Sequence, residues 1–299
     1  MRGHFDRVGV DVGAVRDRVV SRVVKGKVAD VRAERMAYFA ACELASGAVR
    51  FSVNASNFRL DTNVTNLRRD VRSEMTIDGE KGLVSIDVKN SQPFILSLIL
   101  EGRGDWGGVP YVDNLGCSEK GIARGDDGTR TLEDDVAEYV RHAMLGTVYE
   151  SIAAGAGGTP LTRDHAKKVF LSVLYSGPTG NPLFGTDDPV LRSVHPRRVF
   201  RSVYPTVYER LKEMKGGAGG NREFAVHMQR IEAGLVLDGV AAAVVAEHGS
   251  ELPFVTVHDS VICRASDVAD VVRITERVFL DRVGVAPPLE VRGLQADGG

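Results

Sequence analysis

The stretch "FVTVHDSVIC", Phe254 to Cys263, constrains the fold more than any other part of the chain. Its flanks are apolar and β-branched, the composition of a buried strand. His258 and Asp259 interrupt it. A buried carboxylate is costly unless it is paired or binds a metal. The strand is therefore expected to bend or turn at the His–Asp pair. Asp87 stands in a similar setting, because "GLVSIDV" (Gly82–Val88) is an apolar strand with an acid near its end. Two such acids on neighbouring strands could share divalent metal. Two metals roughly 3.5–4 Å apart can activate an attacking oxygen and stabilise a leaving one. Hard oxygen ligands favour magnesium or manganese over zinc. Taken singly, either aspartate reads more simply as the cap of a turn or helix.

A third element adds cations. In "RDHAKKVFLSVLYSG", Arg163, Lys167, Leu171 and Tyr175 recur every four residues. On a helix they form one slowly drifting stripe. Two cations open the stripe near the helix N-terminus, where backbone N–H groups also favour anions. An apolar residue and an aromatic close it. Phosphates at one end and a flat base at the other would suit it, and so would an ordinary amphipathic helix with a solvated start.

The remaining chain supplies the frame. Helical spacing runs from about Gly13 to Ser46, followed by a strand at Ala48–Asn54. A helix is predicted at Pro93–Gly102, a polar, mobile loop at Arg124–Asp135, and a helix from about Leu132 to Ala153 ended by "AGAGGTP". Thr162 is the expected N-cap of the stripe helix, and "SGPTGNP" its stop. Further helices are predicted at Pro189–Met214, ended by "KGGAGG", at Arg222–Glu247 and at Ala265–Arg282, with a last strand in "PPLEVRG". Strands on both sides of a helical block predict an α+β fold, an antiparallel sheet with a helical insertion.

With 299 residues, one large or two small domains are expected. The formal net charge of −2 gives no global basic field, though it allows a local basic cleft. Cys42, Cys117 and Cys263 are far apart and show no metal-ligand spacing, which suggests a reducing compartment. No signal peptide is read at the start, and the run Gly239–Ala246 is far too short to span a bilayer. A soluble, cytoplasmic protein without membrane partners is expected.

These motifs, in this order, resemble the polymerase core of the family A DNA polymerases and their relatives, the single-subunit phage and mitochondrial RNA polymerases. "SIDVKNSQPFILSLIL" is similar to motif A, "RDHAKKVFLSVLYSG" to motif B and "FVTVHDS" to motif C. "RLDTNVTNLR" (Arg59–Arg68) resembles a segment ahead of motif A, with Arg72 near the expected place. "GTVYESIA" (Gly146–Ala153) resembles the lead into motif B. The resemblance spans about Arg59 to Cys263 and implies a right-hand polymerase with an antiparallel-sheet palm, inserted helical fingers and a reduced or absent thumb. The implied segments are 1–50 (reduced thumb or helical cap), 51–102 (palm with motif A), 103–220 (fingers with motif B) and 221–299 (palm with motif C). No 3′–5′ exonuclease domain is expected ahead of Asp87.

By resemblance, Asp87, Asp259 and Lys167 would be catalytic. Asp87, Asp259 and the backbone carbonyl of Val88 would hold two Mg2+ or Mn2+ ions. Arg163, Lys167, Leu171, Tyr175 and Gln92 would meet the incoming nucleotide. Arg59, Asn66, His258, Gln229 and Arg230 would meet primer or template. The partners implied are primer–template DNA and dNTPs, with replication accessory proteins beyond them. Glu232 is read as pairing with a neighbouring cation, and His165 as a surface residue.

Several positions depart from the family pattern. Gln92 stands where the DNA enzymes carry a glutamate and the RNA enzymes a glycine, so the sugar is not settled, although bulk favours deoxyribose. Leu171 replaces a phenylalanine or methionine. Ser176 intrudes before Gly177, and Ser260 follows His–Asp as in the RNA enzymes. A minimal DNA polymerase is the leading reading. An RNA polymerase or primase, a degenerate core that only binds nucleic acid, and a metal-dependent nuclease are the alternatives. A short thumb and near-zero charge predict weak DNA grip, because phosphate contacts dominate affinity.

Overall fold

A computed structural model of the chain describes residues 2–26, 30–48, 50–103, 122–124, 130–132, 134–158, 160–177, 183, 185–216 and 220–294. The path begins with α1 (Arg2–Phe5), β1 (Val8–Val10), α2 (Val12–Val24) and α3 (Val31–Ala45). It continues with β2 (Phe51–Val53), β3 (Leu60–Thr62), α4 (Arg69–Arg72), β4 (Met75–Ile77), β5 (Val84–Val88) and α5 (Ser91–Leu100). A middle block holds β6 (Ile122–Arg124), β7 (Arg130–Leu132), α6 (Asp134–Leu145), α7 (Val148–Ala154) and α8 (Arg163–Tyr175). Then come α9 (Pro189–Ser193), α10 (Pro196–Val203), α11 (Pro205–Lys215) and α12 (Gly220–Leu235). A π-helical turn, Val236–Ala241, leads from α12 to α13 (Ala242–His248). The end is β8 (Phe254–Val257), β9 (Ser260–Cys263), α14 (Val268–Val283) and β10 (Leu289–Gly293).

The chain divides into two compact units. One comprises Met1–Val88, Glu232–Asp281 and Leu289–Gly299; the other comprises Lys89–Ile231 and Arg282–Pro288. The first unit carries a four-stranded antiparallel sheet in the order β10, β5, β9, β8. All eight residues of β8 and β9 are buried. The continuous Val and Ile run is what a strand covered on both faces requires. Val255, Val257 and Ile262 share one apolar core with Val15 of α2, Ala37, Ala41 and Leu44 of α3, and Met75 and Ile77 of β4. The arginine-rich N-terminal helices thus bury their apolar stripes against the core that also receives the β8–β9 hairpin. Each fully buried Leu or Ile there contributes roughly 1.5–3 kcal/mol.

The second unit is helical apart from β6 and β7, which pair with each other. Its centre is a chain of aromatic rings. Tyr149 meets Phe170 at 5.9 Å, Phe170 meets Phe200 at 5.8 Å, Phe200 meets Tyr204 at 5.7 Å, and Tyr204 meets Tyr139 edge-on at 5.1 Å. The Tyr139 hydroxyl donates to the Pro93 carbonyl at 3.0 Å, which satisfies its polar end inside the core.

The antiparallel sheet and helical block agree with the sequence expectation, but several boundaries move. The helical run Gly13–Ser46 is two helices, parted after Val24. The helix read over Leu132–Ala153 breaks at Gly146, whose φ of 65° an L side chain rarely adopts. Pro189–Met214 is three helices, because Pro196 and Pro205 open new ones in their first turn. The helix over Arg222–Glu247 is continuous but carries the π-helical turn. The strand read at Ala48–Asn54 shrinks to Phe51–Val53. The loop read at Arg124–Asp135 contains β7 and the start of α6; its residues 125–129 and 133 lie outside the described residues, as do Cys117, residues 178–182 of "SGPTGNP" and residues 217–219 of "KGGAGG". Among the described residues no helix is long and apolar enough to cross a membrane.

Candidate active site

In the first unit, β8 and β9 form a hairpin whose two turn residues are His258 and Asp259. The strand is therefore turned, not merely bent. His258 adopts φ 53°, a left-handed conformation uncommon outside glycine, which histidine, like asparagine and aspartate, adopts more readily than most residues. The turn also corrects the idea of a buried strand carrying buried charges: His258 is exposed and Asp259 half-buried. The hairpin places Asp259 beside the end of β5, where Val88 N–H donates to the Asp259 carbonyl at 3.3 Å and Asp87 pairs in register with Ser260.

The two carboxylates feel each other. Burial pushes the Asp87 carboxyl above its ordinary value, and the negative charge of Asp259 pushes it the same way. Hydrogen bonding partly offsets this, with Ser85 Oγ donating to Asp87 Oδ2 at 3.1 Å. Arg72 of α4 is half-buried; burial lowers its pKa while the Asp87 charge works to raise it. Among the described residues no three His, Cys, Asp or Glu side chains gather as a metal site. The donor set is thus a repelling pair of hard oxygens. A divalent cation fits it, since such ions accept one or two carboxylates and complete their shell with water and phosphate.

Around this pair, Arg59 forms an ion pair with Glu232, whose side chain is 4% exposed against 22% for Arg59. The expectation that Glu232 pairs with a cation is met. Loss of solvent on the protein side of His258 and the positive charge of Arg59 hold its imidazole below the ordinary value. Asp259 and Asp61 oppose that shift. Asn66 is exposed, and its amide donates to the Thr62 carbonyl at 3.2 Å.

In the second unit, α8 carries the cationic stripe. Thr162 caps it as expected, accepting from His165 N–H at 3.2 Å, and His165 Nδ1 in turn accepts from Thr162 N–H at 3.3 Å. His165 is therefore no plain surface residue; its Nε2 lies 3.1 Å from Asp188 Oδ2. Arg163 is held on three sides. Its Nε lies 2.9 Å from Glu150 Oε1, its Nη2 donates to Asn90 Oδ1 at 3.0 Å, and its guanidinium sits 5.3 Å over the Tyr149 ring. Lys167 is exposed and, among the described residues, has no ion-pair partner. Leu171 is half-buried. The Tyr175 hydroxyl donates to Gln92 Oε1, and Gln92 is 8% exposed. Ser176 ends the helix in an extended conformation. Gln229 and Arg230 are half-buried on α12, beside a buried His227 whose pKa burial and Arg230 lower to about 4.

The fold thus brings Asp87, Asp259, His258 and Arg59 together in one unit, and Arg163, Gln92 and Tyr175 onto neighbouring elements of the other. Three partners went unassigned in the sequence reading: Asn90, Glu150 and Tyr149. Glu150 and Tyr149 lie inside the quoted "GTVYESIA", and Asn90 directly before α5. Asn90 adopts φ 55°, a conformation asparagine tolerates better than most residues.

No protein-family model matches the chain, and no curated protein matches it. Among solved structures, the chain is similar to the POL domain of Pol1 from M. smegmatis in complex with DNA primer-template and dNTP, with TM-score 0.56 and 13% identity over 95% of this chain. The chain spans 55% of that protein. The likeness shows a polymerase-domain fold.

Proposed function

We propose that this chain is a template-directed nucleotidyltransferase, most simply a minimal DNA polymerase of the family A type, adding dNTPs to a primer 3′ end with two Mg2+ or Mn2+ ions. The observation that carries the reading is the Asp87–Asp259 pair. Two half-buried carboxylates, one on β5 and one in the turn of the adjoining β8–β9 hairpin, stand so that one raises the other's pKa, in a chain with the fold of a protein solved with primer–template and dNTP. A module that only bound nucleic acid would have no use for such repulsion.

The two ions, when bound between Asp87, Asp259 and the Val88 carbonyl, would activate the primer hydroxyl and stabilise the leaving oxygen. The chain's own groups position and balance charge, which is most of what phosphoryl transfer asks of a protein. Lys167, exposed on the first turns of α8, meets the triphosphate as a mobile point charge. Arg163, fixed by Glu150 and Asn90, meets it in a set orientation. Leu171 and Tyr175 continue the stripe toward the base. Gln92, held by Tyr175, fills space where the sugar passes. Arg59, steadied by Glu232, and the neutral His258 face the primer end, while Asn66, Gln229 and Arg230 line the strand path.

Primer extension tests this. A labelled primer–template is incubated with Mg2+ and either dNTPs or rNTPs, with Asp259→Ala as control. Extension with dNTPs that disappears in the variant is expected. Extension with rNTPs alone moves the assignment to RNA synthesis and shows that Gln92 does not gate the sugar. Strand shortening without nucleotides would make the protein a nuclease.

A further inference from the structure

The stripe on α8 closes at Tyr175, and a different face of the same helix end opens elsewhere. There a cavity of about 320 Å³ is lined by Val173, Ser176, Arg197, Tyr208, Leu211 and Lys215, with Lys212 also on its wall. Its size is at the small end of the range for ligand pockets. Among the described residues no carboxylate lines it.

The carbonyl end of a helix ordinarily repels anions. Here one of those carbonyls, and two just past the end of the helix, are covered. Lys215 Nζ donates to the Val173 carbonyl and to the Ser176 carbonyl, the latter at 3.1 Å, and Arg197 donates to the Gly177 carbonyl. The cavity therefore faces cations instead of oxygens. An ammonium has three donors, and two of Lys215's are committed; among the described residues the third has no partner. Burial, with Arg197 adding like charge, lowers the Lys215 pKa to about 8. The charged form is thus present at neutral pH but under-compensated. Tyr208, Val173 and Leu211 add an aromatic ring and apolar surface to the same lining, the combination on which bases stack, and the Arg201 guanidinium lies 5.9 Å from the Tyr208 ring centroid.

We propose that this cavity binds a single nucleotide, its phosphate on Lys215 and Arg197 and its base against Tyr208, Val173 and Leu211. It is separate from the triphosphate grip assigned to Arg163, which lies about 18 Å away along the helix. It does not depend on the polymerase reading. The same chemistry could be supplied by a free nucleotide or by one nucleotide of a single strand.

The test is calorimetric titration of the intact chain in EDTA with dTMP, and separately with a 5′-phosphorylated tetrathymidylate. Binding at pH 7 is expected to weaken at least about tenfold in Lys215→Met and a few-fold in Lys212→Ala, whose side chain is exposed, and to persist in Arg163→Gln. A bound phosphate favours the lysine's charged form, so affinity should be greatest near pH 7, where the phosphate is mostly dianionic and the lysine mostly charged, and fall about tenfold by pH 9 in the unaltered chain. The charged or titratable groups lining the cavity beside Lys215 are Arg197 of α10 and Lys212 and Tyr208 of α11; Val173 and Ser176 of α8 do not titrate. Glu209 pairs with Arg201 at 3.1 Å and Lys212 at 3.2 Å. Binding of dTMP with this pattern assigns a free nucleotide; binding of the tetranucleotide alone assigns a strand. If Lys215→Met does not fold, Lys212→Ala and the pH titration decide. No binding of either probe at 10 mM, or binding indifferent to both Lys215→Met and pH, overturns the proposal.

Discussion

Asp87 and Arg163 are both half-buried charged residues at the end of a regular element, and they are kept in opposite conditions. Asp87 stands beside another carboxylate, with its charged form disfavoured by burial and by Asp259. Arg163 is surrounded by partners: a carboxylate, an amide oxygen and an aromatic face. The difference follows from what each would receive. A cation site is made by leaving anions under-compensated, so that the ion removes a repulsion that the folded protein otherwise carries. A phosphate grip needs a guanidinium of fixed orientation, and oriented partners supply it at small cost in stability.

The largest effect expected from breaking this contrast is on the carboxylates. Asp259→Asn should lower nucleotide incorporation at least about 10³-fold, roughly 4 kcal/mol, while the melting temperature in EDTA holds or rises because a repulsion is gone. Extension rates and thermal melts on the same preparation check both halves. Next comes the Arg59–Glu232 ion pair. Arg59→Ala removes the Arg59 guanidinium from the buried Glu232 carboxylate, which should destabilise folding by about 1–3 kcal/mol in a denaturant titration.

The helix should respond more mildly. Arg163→Gln is expected to weaken dNTP binding about tenfold, near 1.4 kcal/mol. Folding stability should change by less than about 1 kcal/mol, because Arg163 and Glu150 are 39% and 45% exposed. Smallest is the pH response of the metal-free protein. The folded pKa of Asp87 is raised, so its contribution to stability is full below the ordinary carboxylate value and is lost as pH rises through the raised one. Melting temperature in EDTA should therefore carry a downward component across that window. Mg2+ should remove it, and Asp259→Asn should remove the Mg2+ effect.

The local motifs were legible because single residues carry them. "FVTVHDS" announces a strand that must turn, Thr162 a helix start, and Pro196 and Pro205 first-turn positions once their neighbours are known. Asp87 and Asp259 were legible as a pair from matching strand-end settings. What the pattern does not encode is which charges meet. Glu34 lies on α3 among arginines in the sequence, yet it is buried against Arg68, which also binds Asp70, and Asp70 in turn binds Arg22. Periodicity places Glu34 on a face and says nothing of the distant segment that covers it. The same holds for Arg163 with Asn90, 73 residues apart, and for Tyr175 with Gln92, 83 apart. The π-helical turn after Leu235 was also invisible, since "LVLDGVAAAVV" reads as unbroken helix.

The Asp87–Asp259 pair is expected to carry the chemical step, and the cationic helix nucleotide affinity. Single-turnover incorporation of one dNTP, measured across nucleotide concentration for Asp259→Asn and Arg163→Gln, separates the two. The expected result is a collapsed maximal rate with little change in dNTP affinity for Asp259→Asn, and a shifted affinity with a largely retained rate for Arg163→Gln. If Asp259→Asn incorporates at the unaltered rate, the pair does not hold the reaction and the claim is contradicted.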